Sequence, residues 1–154
     1  MTSNDGAATA SRRRATVSWT LVAVWACFIF FMSAHTGNDL DEGTGLVALV
    51  KQWLTGIQMS LLGSDVDLVS SVAHFCEYTV FGALLQNALR LRLSPRAAVL
   101  AAIACASLYG VTDEIHQIFV PGRCCDPIDW LVDTAGATLG SCAWGIIGKR
   151  RNAR

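Results

Sequence analysis

The run VSWTLVAVWACFIFFMSA, Val17 to Ala34, holds no charged residue and follows closely on Arg12, Arg13 and Arg14. A helix rising about 1.5 Å per residue needs roughly 20 residues to cross some 30 Å of hydrocarbon, so this run is long enough to fill most of a bilayer. A signal peptide is the competing explanation. The run exceeds a typical signal core and lacks a clear small-x-small cleavage site before His35, which favours a retained anchor. Three further stretches have the length to span: Val69 to Leu89, about Arg96 to Phe119, and Ile128 to Gly148. With 53% apolar residues and 16% charged ones, the chain has a balance that soluble globules of this size rarely show. The expected fold is all-α: a polytopic, four-transmembrane-helix bundle with one extra amphipathic interfacial helix. One domain, residues 17–148, is flanked by a disordered basic tail at 1–16 and a basic tail at 149–154.

Helix-start signals support these limits, because a Ser or Asp cap accepts hydrogen bonds from amides the helix leaves unpaired. Ser64 with Asp67 resembles a capping box for the second span. Ser94-Pro95 suits the cap and first position of the third, and Asp126-Pro127 does the same for the fourth, with Asp129 in its first turn. Between the first two spans, Leu46, Leu49, Val50, Trp53, Leu54, Ile57 and Leu61 recur at helical spacing, with Lys51, Gln52, Thr55 and Gln58 elsewhere on the wheel. That pattern predicts an amphipathic helix lying at the interface, too polar to span.

Loop lysines and arginines set orientation, since positive charge near a span tends to stay in the cytoplasm. With both termini inside, Arg12, Arg13, Arg14, Arg90, Arg92, Arg96, Lys149, Arg150, Arg151 and Arg154 are cytoplasmic, leaving only Lys51 and Arg123 of the 12 basic residues outside. The expected location is the bacterial cytoplasmic membrane, multi-pass. TDEIHQIFVPGRCCDPIDWLVD, Thr112 to Asp133, then faces outward and loads one rim with five carboxylates, an arginine and a histidine.

Rotating the spans places each polar residue on a face. Ser70, His74, Glu77 and Phe81 share one on the second helix; Ser107, Gly110, Glu114 and Gln117 share one on the third, with Tyr109 and Asp113 beside it; the fourth offers Asp129, Asp133, Gly136 and Gly140. If the second helix starts near Asp65, Glu77 lies roughly 18 Å along it, near mid-membrane. An acidic side chain there costs on the order of 3 kcal/mol, so it must meet a partner, a water-filled cavity or a proton.

HFCEYTVFGALL, His74 to Leu85, together with YGVTDEIHQIFVPGRCCDPIDWLVDTAGATLG, Tyr109 to Gly140, resembles the pattern of the VanZ-like family of small bacterial membrane proteins. The resemblance covers nearly half the chain, as an H-F-x-E-Y block, a D-E-x-x-Q-x-F-x-P-G-R block and a following G-x-x-x-G, in order and on successive helices. Ser71, Cys124, Cys125 and Asp133 depart from the family pattern, which often has lysine, small polar residues and asparagine at those places. The resemblance implies a multi-helix membrane protein and a link, through the family's prototype, to resistance to the glycopeptide antibiotic teicoplanin. It supplies no biochemical activity.

Each polar candidate carries a structural alternative. Asp126 and Asp129 suit a helix start, where carboxylates favour the positive end of the dipole. Asp113 and Glu114 lie near a helix C-terminus, where the dipole disfavours them, which points to a function or a buried network. Arg123 can pair with Glu114 or Asp129, or hold a ligand phosphate or carboxylate. His74 is divided between a satisfied interior histidine and a working one, and His116 is expected at the interface. Gly136 and Gly140 suit close helix packing. Cys27, Cys76, Cys105 and Cys142 are small apolar residues within spans; Cys124 and Cys125 are expected on the oxidising side as free thiols or an incidental bond.

There is no G-x-S-x-G elbow, phosphate loop, C-x-x-C or H-E-x-x-H, so ordinary hydrolase, nucleotide and zinc-protease chemistry has no anchor. The basic residues are explained by topology, and no nucleic-acid partner is expected. Two classes of function remain. In the first, an outward-opening site binds the head group of a phospholipid or lipid-linked wall precursor through Arg123, Gln117, Tyr78, Tyr109, Asp129 and Asp133. In the second the site is an enzyme, with Glu114 or Asp113 as general base and His74 or Glu77 as its partner. No cofactor is specified; a divalent cation could bind among His74, Glu77, Asp113 and Glu114, although no spacing specifies a metal. A proton or ion path is a weaker third.

Overall fold

A computed structural model describes residues 3–34 and 68–152, together with 52, 53, 55–57, 59 and 60 between them. Every regular element among the described residues is helical. Four long helices follow in order: α1 Ser3–Ser33, α2 Leu68–Leu89, α3 Pro95–Gln117 and α4 Pro127–Asn152. Ser94 caps α3, its hydroxyl accepting from the Ala97 amide at 3.4 Å, with Pro95 in the first turn. At the start of α4, Asp126 accepts from the Ile128 amide at 2.8 Å ahead of Pro127. Both starts thus use the caps expected from the sequence. Residues 90–94 and 118–126 are the only links between α2 and α3 and between α3 and α4, and such short connections force antiparallel neighbours.

The tightest packing joins α2 to α4, and glycine makes it. A Cβ at Gly140 or Gly82 would collide with the carbonyl oxygens of Thr79 and Ala137, and one at Gly136 would stand 2.5 Å from that of Phe75. Backbone meets backbone along this seam, as small-residue helix contacts allow. Ser141 adds a hydroxyl bond to the Gly82 carbonyl at 3.0 Å. On its inner face α3 presents Ala98, Ala102 and Ala106, all fully buried. Farther out, α1 is tied on by Trp25, whose indole donates to the Glu77 carbonyl at 2.9 Å, and by Tyr109, whose hydroxyl donates to the Ala26 carbonyl at 2.7 Å.

Polarity runs opposite to that of a water-soluble globule. Leu100, Leu108, Ile115 and Phe119 of α3 and its following turn, Phe31 of α1 and Ile128 of α4 are all more than half exposed, whereas His74, Gln86, Asp113, Glu114, Gln117 and Asp133 are buried. Large apolar side chains out and small or ionisable ones in is the arrangement that hydrocarbon favours as surroundings.

Some expectations need correction. Residues 3–16 are helical, continuous with α1, where a disordered tail was expected; alanines and arginines are strong helix formers, and they extend the adjoining span. Of the four expected spans, α1 (over Ala8–Ser33) and α3 are long and apolar enough to cross a membrane, whereas α2 and α4 do not meet that measure among the described residues. Within the expected interfacial helix, residues 52, 53, 55–57, 59 and 60 are helical, with Trp53 and Met59 exposed. The rest of that helix, the Ser64–Asp67 capping box and a helix start at Asp65 lie outside the described residues.

Candidate functional site

The start of α2, the end of α3 and the start of α4 meet at one end of the bundle. Counted from Leu68, His74 lies about 9 Å along α2; counted from Pro127, Asp133 lies about 9 Å along α4. The two side chains therefore sit at one level, and His74 Nδ1 is 3.0 Å from Asp133 Oδ1. On the other side of the ring, Arg123 Nη2 is 3.4 Å from His74 Nε2. A guanidinium only donates; in the neutral tautomer that carries its proton on Nδ1, the ring donates to Asp133 and Nε2 accepts from Arg123. Local backbone geometry delivers the arginine: Val120 to Arg123 close a turn through the Arg123 amide and Val120 carbonyl at 3.1 Å, with Pro121 second and Gly122 third at φ 80°. That is the left-handed residue a type II turn demands, and it folds Arg123 back over the bundle end.

Asp113 and Glu114 enter from α3. Glu114 Oε2 accepts from the Asp126 amide at 2.7 Å, so this carboxylate ties the end of α3 to the cap of α4. Its Oε1 is buried without a hydrogen-bond partner. So are both oxygens of Asp113, Asp133 Oδ2, the Tyr78 hydroxyl and Gln117 Nε2. Ser33, at the end of α1, lies beside Asp113, yet its hydroxyl is not in bonding geometry. His74, Asp113, Glu114 and Asp133 each offer one ligand atom, and these four atoms lie within 4.8 Å of one another.

Charge makes this cluster costly as it stands. Two carboxylates 4.8 Å apart repel by about 3.5 kcal/mol at an effective dielectric near 20. Even with His74 protonated, the ring and Arg123 bring two positive charges against three carboxylates. Protons or a bound cation must make up the difference. Acceptors outnumber donors, so the cluster is built to receive a cation or a group rich in N–H and O–H.

Not every expected residue joins it. Glu77 is half-buried and within electrostatic reach of His74, Asp113, Asp133 and Arg123, but it is not among the four converging groups. Tyr78, fully buried, keeps its hydroxyl free, whereas Tyr109 spends its hydroxyl on the Ala26 carbonyl and packs its ring on Phe81, with centroids 5.2 Å apart. Arg123 forms neither expected ion pair: it meets His74 in place of Glu114 or Asp129. Asp129 accepts instead from Ser71 at 3.4 Å. His116 stacks on Phe30 at 4.2 Å; it lies within electrostatic reach of Asp113 but is not among the four converging groups. All six cysteines are free thiols. Sequence reasoning put Asp133 on the right face but did not pair it with His74, and it missed Ser33 and Gly82 altogether.

The sequence profile of the VanZ/LLP1 family matches residues 18–148, a stretch that contains every residue of the cluster. No curated protein and no solved structure matches the chain. Together with the two long apolar helices, the family match points to a membrane protein.

Proposed function

This chain belongs to the VanZ/LLP1 family, and from that footing we propose that it is a four-span protein of the bacterial cytoplasmic membrane that holds a cell-envelope head group in a site opening to the outside. Support for four spans comes from the antiparallel order of the helices and from their apolar outward faces. Both termini lie in the cytoplasm by the distribution of lysine and arginine, which puts the bundle end with His74 and Glu114 at the outer face.

One observation carries the binding role: Asp113, Glu114 and Asp133 are at most 3% exposed, and each keeps a carboxylate oxygen that nothing in the protein satisfies. Buried acceptors left unpaired cost about 1–3 kcal/mol each, more when charged, so their persistence is best explained by an external partner. Hydroxyls or an ammonium of a lipid-linked sugar or phospholipid head group supply donors, and half-buried Arg123 stands beside them to take an acidic portion. The family's link to teicoplanin resistance makes wall-precursor head groups the first class to probe.

Native mass spectrometry of protein released from membranes in mild detergent tests this. A lipid travelling with the wild type and lost in Glu114→Gln is the expected result. A wild type that arrives bare, or a variant with the same cargo, overturns it. An enzymatic role draws on the Asp133–His74 pair, since a carboxylate that fixes an imidazole tautomer is a familiar way to prepare a base; turnover of the bound lipid in the same preparation distinguishes it from binding alone.

A further inference from the structure

We propose that His74, Asp113, Glu114 and Asp133 form a divalent-cation site of the Mn2+ or Zn2+ class, and that loading it releases Arg123 toward an anionic group of the bound head group. The proposal rests on the cluster's being an outward-opening binding site, and it names what fills the carboxylate end. An acidic cluster alone would not carry it. Here Asp113 is 2% exposed and neither of its oxygens has a partner, so whichever of them belongs to the cluster is a free ligand atom aimed at the other three groups.

Geometry fits a small ion. Ligands about 2.1 Å from a divalent cation stand about 3 Å apart when adjacent and about 4.2 Å when opposite. The four atoms lie within 4.8 Å of one another, so a pair at that limit closes by about 0.6 Å to stand opposite and about 1.8 Å to stand adjacent, within reach of side-chain rotation. The donor set is mixed, three carboxylates with one imidazole; carboxylate oxygen alone would admit Mg2+ or Ca2+, whereas imidazole shifts preference to transition ions. A metal takes the neutral ring, in which one nitrogen keeps its lone pair.

Arg123 must then move, whichever nitrogen ligates. Coordination through Nε2 takes the lone pair that accepts from the guanidinium. Coordination through Nδ1 sends the ring proton to Nε2, where it faces the guanidinium donor to donor. Either way the arginine is freed at the mouth of the site. Cation binding and anion binding are thereby coupled, with the metal neutralising the carboxylates that would otherwise repel a phosphate.

The test uses the full chain in detergent, stripped with EDTA and dialysed against Mn2+ or Zn2+ alone, with metal per chain read by elemental analysis and bound lipid by native mass spectrometry. About one cation per wild-type chain is expected, with affinity lowered at least tenfold in Asp113→Asn and Glu114→Gln and little changed in Glu77→Gln. Arg123→Gln should bind the cation as well as the wild type or better. A wild type without a stoichiometric cation overturns the proposal whatever the variants do, as does full occupancy in both carboxylate variants. Lipid retained equally before and after stripping leaves the head-group role standing and removes the cation from it. A cation bound with no lipid in any preparation removes the head-group role and leaves the metal site.

Discussion

His74 stands between the Asp133 carboxylate at Nδ1 and the Arg123 guanidinium at Nε2, so its worth to the fold is read by removing either neighbour. Asp133→Leu strands the Nδ1–H in a dry interior and is expected to cost about 1–3 kcal/mol, seen as a lower melting temperature in detergent. Asp133→Asn keeps an oxygen at the same place and should cost less than half as much. A second residue-scale expectation concerns Cys125, in the loop before α4. Desolvation and the neighbouring Glu114 and Asp126 carboxylates hold its thiol above the usual range. Thiolate is the reactive form, so with Cys124 replaced by serine, maleimide labelling at pH 7 should be slower than for an unperturbed thiol and should climb steeply as pH rises toward the raised value. A rate independent of pH would contradict it. At this scale the sequence revealed which residues share a face, because Glu114 and Gln117, or Asp129 and Asp133, are separated by three or four positions. It did not reveal partners: His74 and Asp133 are 59 residues apart, and their pairing depends on how two helices are rotated about each other. For Arg123 the sequence left an ion pair with Glu114 or Asp129 level with capture of a ligand anion; the Asp126 amide occupies one Glu114 oxygen, and the turn through Gly122 carries the arginine to His74.

Among the elements, α2 and α4 form the seam on which the site depends. Gly140→Leu must separate them or break one, and a loss of 1–3 kcal/mol or more is expected from such overpacking. Gly6→Ala, where nothing lies within 4 Å, should be neutral or slightly stabilising in the same melting experiment. Equal effects from the two would mean that the seam is not the tight contact described. The helix starts were legible because a cap is a local bargain between a side chain and amides two or three residues away, as Ser94 and Asp126 illustrate. Gly136 and Gly140 were legible as a spaced pair on one helix. Gly82 was not, since a single glycine in a helix acquires meaning only from the backbone of the helix facing it.

For the whole molecule, the outward apolar faces and the asymmetry of basic residues were visible in the sequence, and so was the family. The length of α1 was not: its first residues look like a charged tail, and only continuity with an apolar span makes them helical. Cys124 and Cys125, after mild reduction, are expected to react with an impermeant maleimide added outside intact spheroplasts; labelling that appears only after lysis would invert the molecule. The seam has one further effect. Because glycine lets main chain touch main chain a turn from the His74–Asp133 pair, the gap between those two side chains is fixed by rigid rods rather than by what fills it. Trimming a side chain there leaves a hole that the walls do not close over, and small molecules or ions offered from outside can be tried in it one at a time.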